Sequence, residues 1–299
     1  MKKKVVGLGE LLWDILPQST HLGGAPANFA YIASLLGNEG IVASRLGHDS
    51  LGQDAIRRMQ EVGLVADHVQ IDREYPTGTV NVQLDANGVA QYEILQPVAW
   101  DFLEWTDDWR ELAATADAVC FGSLAQRCEG SRATIQKFLK STSGRTIKVF
   151  DVNLRQSFYS AAVLAESILL ADIVKLNDEE LPKIVDSVGI ANRSEISSAE
   201  KLIREYDLKL VCITRGGRGS LLVRDGESSQ HPGFKVRVAD TVGAGDAFTA
   251  AMVHEYLRGS SLERMNEAAN RVGAWVASKP GAMPRPKNGV LGEALAQIL

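Results

Sequence analysis

Asp240-Thr241-Val242-Gly243-Ala244-Gly245-Asp246-Ala247-Phe248 is the stretch on which the reading of this chain turns. Gly243, Ala244 and Gly245 leave little side chain beside the backbone, so successive N–H groups can converge on one anion. The run leads into an apolar segment that reads as a helix, which makes it a phosphate cradle at a helix N-terminus. A Walker A loop would end in Gly-Lys-Ser or Gly-Lys-Thr, whereas this one carries a carboxylate, Asp246. A fixed negative charge beside a phosphate is costly unless it has a task. The task open to it is to take a proton from a hydroxyl as that hydroxyl attacks a phosphoryl group. The alternative is a Gly-rich turn with Asp246 as an ordinary helix N-cap.

The rest of the chain bounds the setting. With 299 residues, 45% of them hydrophobic and 23% charged, it can bury a large core and has the composition of a soluble globular protein. A formal net charge of −5 gives no support to nucleic-acid binding. Cys120, Cys128 and Cys212 have neither CxxC spacing nor an even count, which fits a reduced, cytoplasmic protein. Met1-Lys2-Lys3-Lys4 could open a signal peptide, but the apolar run that follows is short and Glu10 and Asp14 interrupt it. No stretch reaches transmembrane length, so no membrane partner is expected.

Short apolar runs alternate with helix-period segments, the pattern of an α/β protein with a mostly parallel sheet. Strands are expected at 5–8, 40–46, 118–121, 147–151, 173–176, 210–214 and 220–223. Helices are expected at 26–36, 50–62, 131–140, 161–170, 178–188, 199–206, 247–257 and 262–277. One segment breaks the rhythm. Residues 79–84 and 91–94 alternate with period two around an Asp85-Ala86-Asn87-Gly88 turn. A hairpin with one polar face cannot sit inside a doubly covered sheet. Residues around 71–98 therefore form either a projecting β element or an antiparallel edge of the main sheet.

Other candidate groups follow strands, where open α/β sheets bind ligands. Asp14 and Asn28 flank Gly23-Gly24-Ala25-Pro26 and offer the acceptors and donors that a polyol needs. Gly24 would let a ligand approach the backbone. In Asp151-Val152-Asn153-Leu154-Arg155, Arg155 could balance phosphate charge, or form a surface ion pair. Asn177 and Glu180, three apart at a helix start, could organise hydrated Mg²⁺ or equally form a capping box. Thr214-Arg215-Gly216-Gly217-Arg218-Gly219 suits a nucleotide phosphate, or a plain β-turn. Trp100, Asp101 and the Ala125-Gln126-Arg127 run also lie where they could face the site.

From Gly9 to Gly281 these motifs, in this order, resemble those of the ribokinase-like, or PfkB-type, carbohydrate kinases. The Gly-Glu-Leu-Leu-Trp-Asp and Gly-Gly-Ala-Pro-Ala-Asn stretches look most like bacterial fructokinases. The resemblance implies a three-layer α/β/α ribokinase-like fold with a mostly parallel central sheet. It implies one kinase domain over 1–299, with a small β lid contributed mainly by about 71–98 that closes over the sugar and can serve as a homodimer surface. It makes Asp246 the base, the amides of Gly243, Ala244 and Gly245 the anion hole, and Arg155 a balancing charge. Asp14, Gly24 and Asn28 would hold the sugar. Thr214, Gly216, Gly219 and Asn270 would hold ATP, with Asn177 and Glu180 arranging Mg²⁺ through water. Asp240, with the carbonyls of Val242 and Gly281, would surround K⁺. The implied activity is ATP-dependent phosphorylation of a primary sugar hydroxyl, fructose to fructose 6-phosphate. Ribose, 2-keto-3-deoxygluconate and nucleosides remain as acceptors, and a vitamin kinase of related fold or a non-catalytic sugar-binding regulator as other classes.

Overall fold

Alternate side chains of a β-strand point to opposite faces, so a strand that is apolar throughout needs cover on both sides. The computed structural model, which describes residues 2–16, 19–84, 90–191, 194–286 and 291–296, provides that cover. The strands are β1 (Lys4–Leu8), β2 (Leu12–Leu16), β3 (Ser19–Gly23), β4 (Glu39–Gly47), β5 (Val69–Asp72), β6 (Gly78–Leu84) and β7 (Ala90–Ile94). They continue as β8 (Ala118–Phe121), β9 (Ile147–Asp151), β10 (Ile173–Asn177), β11 (Leu210–Thr214), β12 (Ser220–Arg224) and β13 (Glu227–His231). The helices are α1 (Ala25–Leu35), α2 (Ser50–Glu61), α3 (Asp107–Thr115), α4 (Glu129–Lys140) and α5 (Ala161–Leu170), then α6 (Glu180–Ser187), α7 (Glu195–Tyr206), α8 (Ala244–Leu257), α9 (Leu262–Ala277) and α10 (Leu291–Leu295).

Nine strands form the central sheet in the order β13-β12-β11-β10-β9-β8-β1-β4-β5. Pairing is parallel from β11 to β5, and β12 and β13 add an antiparallel edge. The strands divide their side chains between two cores. Val6, Val119, Phe150, Val174 and Val211 pack with α3 to α7 on one face. Val5, Cys120, Val149, Ile173 and Cys212 pack with α1, α2, α8 and α9 on the other. The result is a three-layer α/β/α architecture, as the alternation of elements predicts. Cys120 and Cys212 are buried and unpaired, as expected of apolar strand residues. No helix among the described residues is long and apolar enough to cross a membrane.

A second sheet of four strands, in the order β3-β2-β6-β7, stands apart from the first. Its hairpin strands β6 and β7 are the period-two segment, antiparallel with Asn81 opposite Glu93; the 85–88 turn lies outside the described residues. The other half of this sheet comes from β2 and β3, which the sequence had not marked as strands. β2 pairs parallel with β6, Leu12 opposite Gly78, and antiparallel with β3. Residues 71 and 72, grouped in sequence with the projecting element, instead end β5, which extends the central sheet alongside β4. Arg127 fastens the second sheet to the body. Its guanidinium donates to both oxygens of Asp101, each at 2.7 Å, and to the Leu95 carbonyl just beyond β7, also at 2.7 Å. It also lies 3.9 Å from the Trp100 ring centroid, so these residues join the second sheet to the body.

Most helix starts follow side-chain capping. Asp49, Thr106, Ser160, Ser194 and Ser261 each accept from the backbone N–H three residues further on, in the first turn. α8 is among the helices without one: its N-cap is Gly243, with φ 75° and no side-chain cap. In the α3–α7 core, Phe138 is fully buried, with the Trp105 and Trp109 rings edge-on to it at 6.2 and 5.9 Å. Phe138→Ala is expected to lower unfolding free energy by about 3–5 kcal/mol, read by urea denaturation.

Candidate active site

Strands that run parallel deliver all their C-terminal ends to one edge of the sheet, and the loops leaving β1, β8, β9, β10 and β11 meet there. α8 enters this edge N-terminus first. The helix begins at Ala244, three residues earlier than its apolar periodicity suggests, so Asp246 lies inside the first turn and the N-cap position belongs to Gly243. That removes the N-cap account of Asp246. The left-handed conformation at Gly243 also brings its Cα against the 281–283 loop, where an added Cβ would lie 2.4 Å from the Ala282 side chain.

Asn28, on α1, donates from Nδ2 to Asp246 Oδ2 at 2.8 Å. The structure thus joins two residues 218 positions apart that the sequence assigned to sugar and to catalysis. Burial pushes the Asp246 carboxyl up to about 6, and the neighbouring Asp151 charge adds to this. The Asn28 hydrogen bond, Lys175 and Arg155 act the other way. Arg155 itself is exposed, on a loop held by left-handed residues Asn153 and Gln156. It has no ion pair among the described residues, yet its charge acts on Glu10, Asp14 and Asp246 together. The surface ion-pair account of Arg155 therefore does not hold.

Asp14 does not end the first strand but sits on β2, opposite His21 of β3, so it belongs to the second sheet. Burial raises its carboxyl to about 6. Gly24, at φ 106°, lies where a Cβ would come 2.5 Å from the Glu10 carbonyl. Asp14, Gly24, Asn28, Arg155 and Asp246 thus share one region.

The remaining candidates are more engaged with the fold. Asn177 Oδ1 accepts from the Glu180 N–H at 2.8 Å, and Glu180 Oε2 accepts from the Asn177 N–H at 2.9 Å. This is a complete capping box. Glu180 Oε1 accepts in addition from the Leu154 N–H at 2.8 Å, so the buried carboxylate also fixes the loop carrying Arg155. With both oxygens on backbone donors, Glu180 fits a metal through water better than by direct ligation. Gly219 sits in the β11–β12 turn, tight against His231, while Gly216 opens a short 3₁₀ turn and Thr214 ends β11. Asn270 lies in a buried polar network, donating to Ser220 Oγ at 2.7 Å and to the Asn266 carbonyl at 2.8 Å. Asp240 accepts from the Val242 and Gly281 N–H groups at 3.0 and 3.1 Å, which draws together the three residues of the cation candidate. Among the described residues there is no cluster of three or more His, Cys, Asp or Glu side chains able to hold a metal. This donor set fits an ion carried by phosphate oxygens or held by backbone carbonyls.

Sequence reasoning missed Glu10, Asp151, Lys175 and Thr249. Glu10 is 4% exposed, one of its oxygens has no hydrogen-bond partner, and burial pushes it up to about 7. Lys175 offered a readable signal: a lysine inside an apolar strand is rarely buried without a paired acid.

The chain belongs to the family of pfkB carbohydrate kinases, whose pattern it matches over residues 16–288. It is 31% identical to a fructokinase of Escherichia coli, over 95% of this chain and 96% of that one. It is 30% identical to a putative sugar kinase of Pyrococcus horikoshii, over 95% of this chain and 93% of the relative. The crystal structure of the Pyrococcus horikoshii sugar kinase in complex with ATP superposes with a TM-score of 0.81, covering 99% of this chain and all of that one. The fold is ribokinase-like and the protein is a carbohydrate kinase.

The raised carboxyl of Asp246 carries a stability consequence. Because its folded pKa, about 6, exceeds the ordinary 3.8, the folded chain binds that proton more tightly than the unfolded chain. Stability therefore falls as pH rises between the two values, and the cost is complete above about 6. Asp246→Asn is expected to melt higher than wild type at about pH 7.5, with the gain vanishing toward pH 4. A gap independent of pH would contradict the burial of this charge.

Proposed function

We propose that this carbohydrate kinase transfers the γ-phosphoryl group of ATP to a primary hydroxyl of fructose, giving fructose 6-phosphate and ADP. The observation that carries the chemistry is Asp246. It is a carboxylate of raised proton affinity, oriented by Asn28 and set in the first helical turn directly after Gly243-Ala244-Gly245. Asp246 takes the proton of the sugar hydroxyl as that oxygen bonds to phosphorus and the bond to ADP breaks. The amides of Gly243, Ala244 and Gly245, at the positive end of α8, stabilise the charge on the phosphoryl oxygens. Asp14, Gly24 and Asn28 hold the sugar. Arg155, exposed at the mouth and acting on all three carboxylates around it, offsets phosphate charge.

Thr214, Gly216 and Gly219 line the nucleotide side, with Asn270 supporting it through Ser220. Mg²⁺, arriving with ATP and reached by Glu180 through water, would neutralise phosphate charge. K⁺ at Asp240 and the Val242 and Gly281 carbonyls would steady the loop before α8. The four-stranded sheet acts as a lid on a single kinase domain over 1–299, and its edge strands offer a surface on which two copies could pair. Fructose is favoured over ribose or 2-keto-3-deoxygluconate by the fructokinase relative, near 31% identity over nearly the full length.

Coupled ADP release with Mg-ATP and K⁺ should be strongest on fructose in a panel with ribose, 2-keto-3-deoxygluconate, adenosine and glucose. Turnover on another sugar would replace the acceptor and keep the mechanism, whereas binding without turnover would indicate a regulator. Asp246→Asn should lose roughly 10²-fold or more in kcat with sugar and ATP affinity nearly unchanged. The kcat profile of wild type should fall on the acid side near pH 6, where the base becomes protonated.

A further inference from the structure

Beneath the cradle lies an ion pair that the proposed chemistry has not used. Lys175, on β10, is 7% exposed and donates to Asp151 Oδ1 at 3.0 Å. The second Asp151 oxygen takes a hydrogen bond from Thr249 Oγ1 at 2.8 Å. That hydroxyl also lies 3.0 Å from the Gly245 carbonyl, so β9 and β10 are tied to the first turn of α8. The ammonium packs directly on the cradle backbone: a Cβ built on Gly245 would sit 3.2 Å from Lys175 Nζ. A cavity of about 10 Å³, lined among others by Asp151, Asp246, Cys120 and Gly122, adjoins the pair. The side chains of the pair are only 9% and 5% exposed, so solvent screens these charges little.

A buried ion pair is weak evidence for stability, since apolar side chains of similar volume often serve as well. Its position suits a different task. Among the described residues the ammonium, with three N–H groups, has Asp151 as its one hydrogen-bond acceptor, and its other near neighbour is the backbone of the anion hole. Burial alone would lower its pKa, but the charges of Asp151, Glu180 and Asp246 hold it above the ordinary lysine value. It is therefore protonated at neutral pH.

We infer that Lys175 is a positioning residue for phosphoryl transfer: its ammonium, anchored by Asp151 under Gly245, sets a fixed positive charge beneath the cradle that steadies the transferring phosphoryl group. This rests on Gly243–Asp246 being the phosphoryl site. Groups facing Asp246 come from every neighbouring element: Asp151 on β9, Lys175 on β10, Arg155 after β9, Glu10 after β1 and Cys120 on β8. Of these, Lys175 is the buried cation.

The test compares Lys175→Met with the double variant Lys175→Met/Asp151→Asn in the full chain. Three readouts are used: melting temperature, kcat and KM for the sugar, and affinity for ADP with aluminium fluoride, a phosphoryl mimic. Lys175→Met should lose about 10- to 100-fold in kcat and in mimic affinity, with KM for sugar little changed. It also strands the Asp151 charge, so its melting temperature should drop. The double variant removes that charge and keeps an acceptor for Thr249. It should recover the melting temperature and remain low in kcat and mimic affinity. Loss of the Asp151 carboxylate alone favours an anion in the cradle, so weakened mimic binding in the double variant can come only from the missing ammonium. Recovery of kcat and mimic affinity along with stability would overturn the inference and leave Lys175 as a counter-ion for Asp151. Failure of the base assignment reads separately, as turnover retained in Asp246→Asn, while mimic binding still reports on Lys175.

Discussion

Parallel pairing of β1, β8, β9, β10 and β11 is the constraint from which the rest follows. It commits five loops to one edge, and the site is built there. Glu10 follows β1, Asp151 ends β9 with Arg155 in the loop beyond it, and Asn177 ends β10 just before Glu180 opens α6. Thr214 to Gly219 lead from β11 to β12, while the loop after β8 leads to Arg127, which ties the second sheet to the body. α8 then points its N-terminal amides into this ring of side chains. No single loop needs to be long or unusual. The two buried cores hold the strands rigid, and the loops inherit that rigidity through short tethers such as Glu180 to the Leu154 N–H.

The same edge collects more acid than base. Glu10, Asp14, Asp151 and Asp246 gather against Lys175 and Arg155, and burial raises the proton affinity of Glu10, Asp14 and Asp246. Such a region is poorly satisfied in the free protein. Glu10 keeps an oxygen without a partner, and Asn28 keeps its carbonyl oxygen free while its amide holds Asp246. These open acceptors and raised carboxyls suit a hydroxyl-rich ligand, which is what the proposed sugar site requires.

Much of this was legible in the sequence. The alternation of elements gave the layers and the parallel sheet. The glycine run before Ala247 gave the start of α8, and the expected helix over 26–36 the element that brings Asn28 to Asp246. Three things were not legible, each for a physical reason. Residues 12–23 lack sustained period-two alternation, because Leu11, Leu12 and Trp13 are all buried at the base of the second sheet. Asn177 and Glu180 could read as cap or ligand because both uses place an acceptor at a helix start, and here the cap is formed. The lysine inside the apolar run of β10 signals a buried partner, but that the partner is Asp151 is a contact between separate strands, which no local pattern encodes.

The parallel pairing of β2 with β6 has a consequence for how the chain comes to its shape. Leu12 meets Gly78 across the whole intervening unit of α1, β4, α2 and β5. Residues 12–23 therefore have no partner in this sheet other than each other until that unit has closed and returned the chain. Contacts of such sequence separation are slow to form, because loop closure precedes any gain from pairing. During synthesis the segment bearing Asp14 emerges early, and its sheet is completed only once β6 arrives.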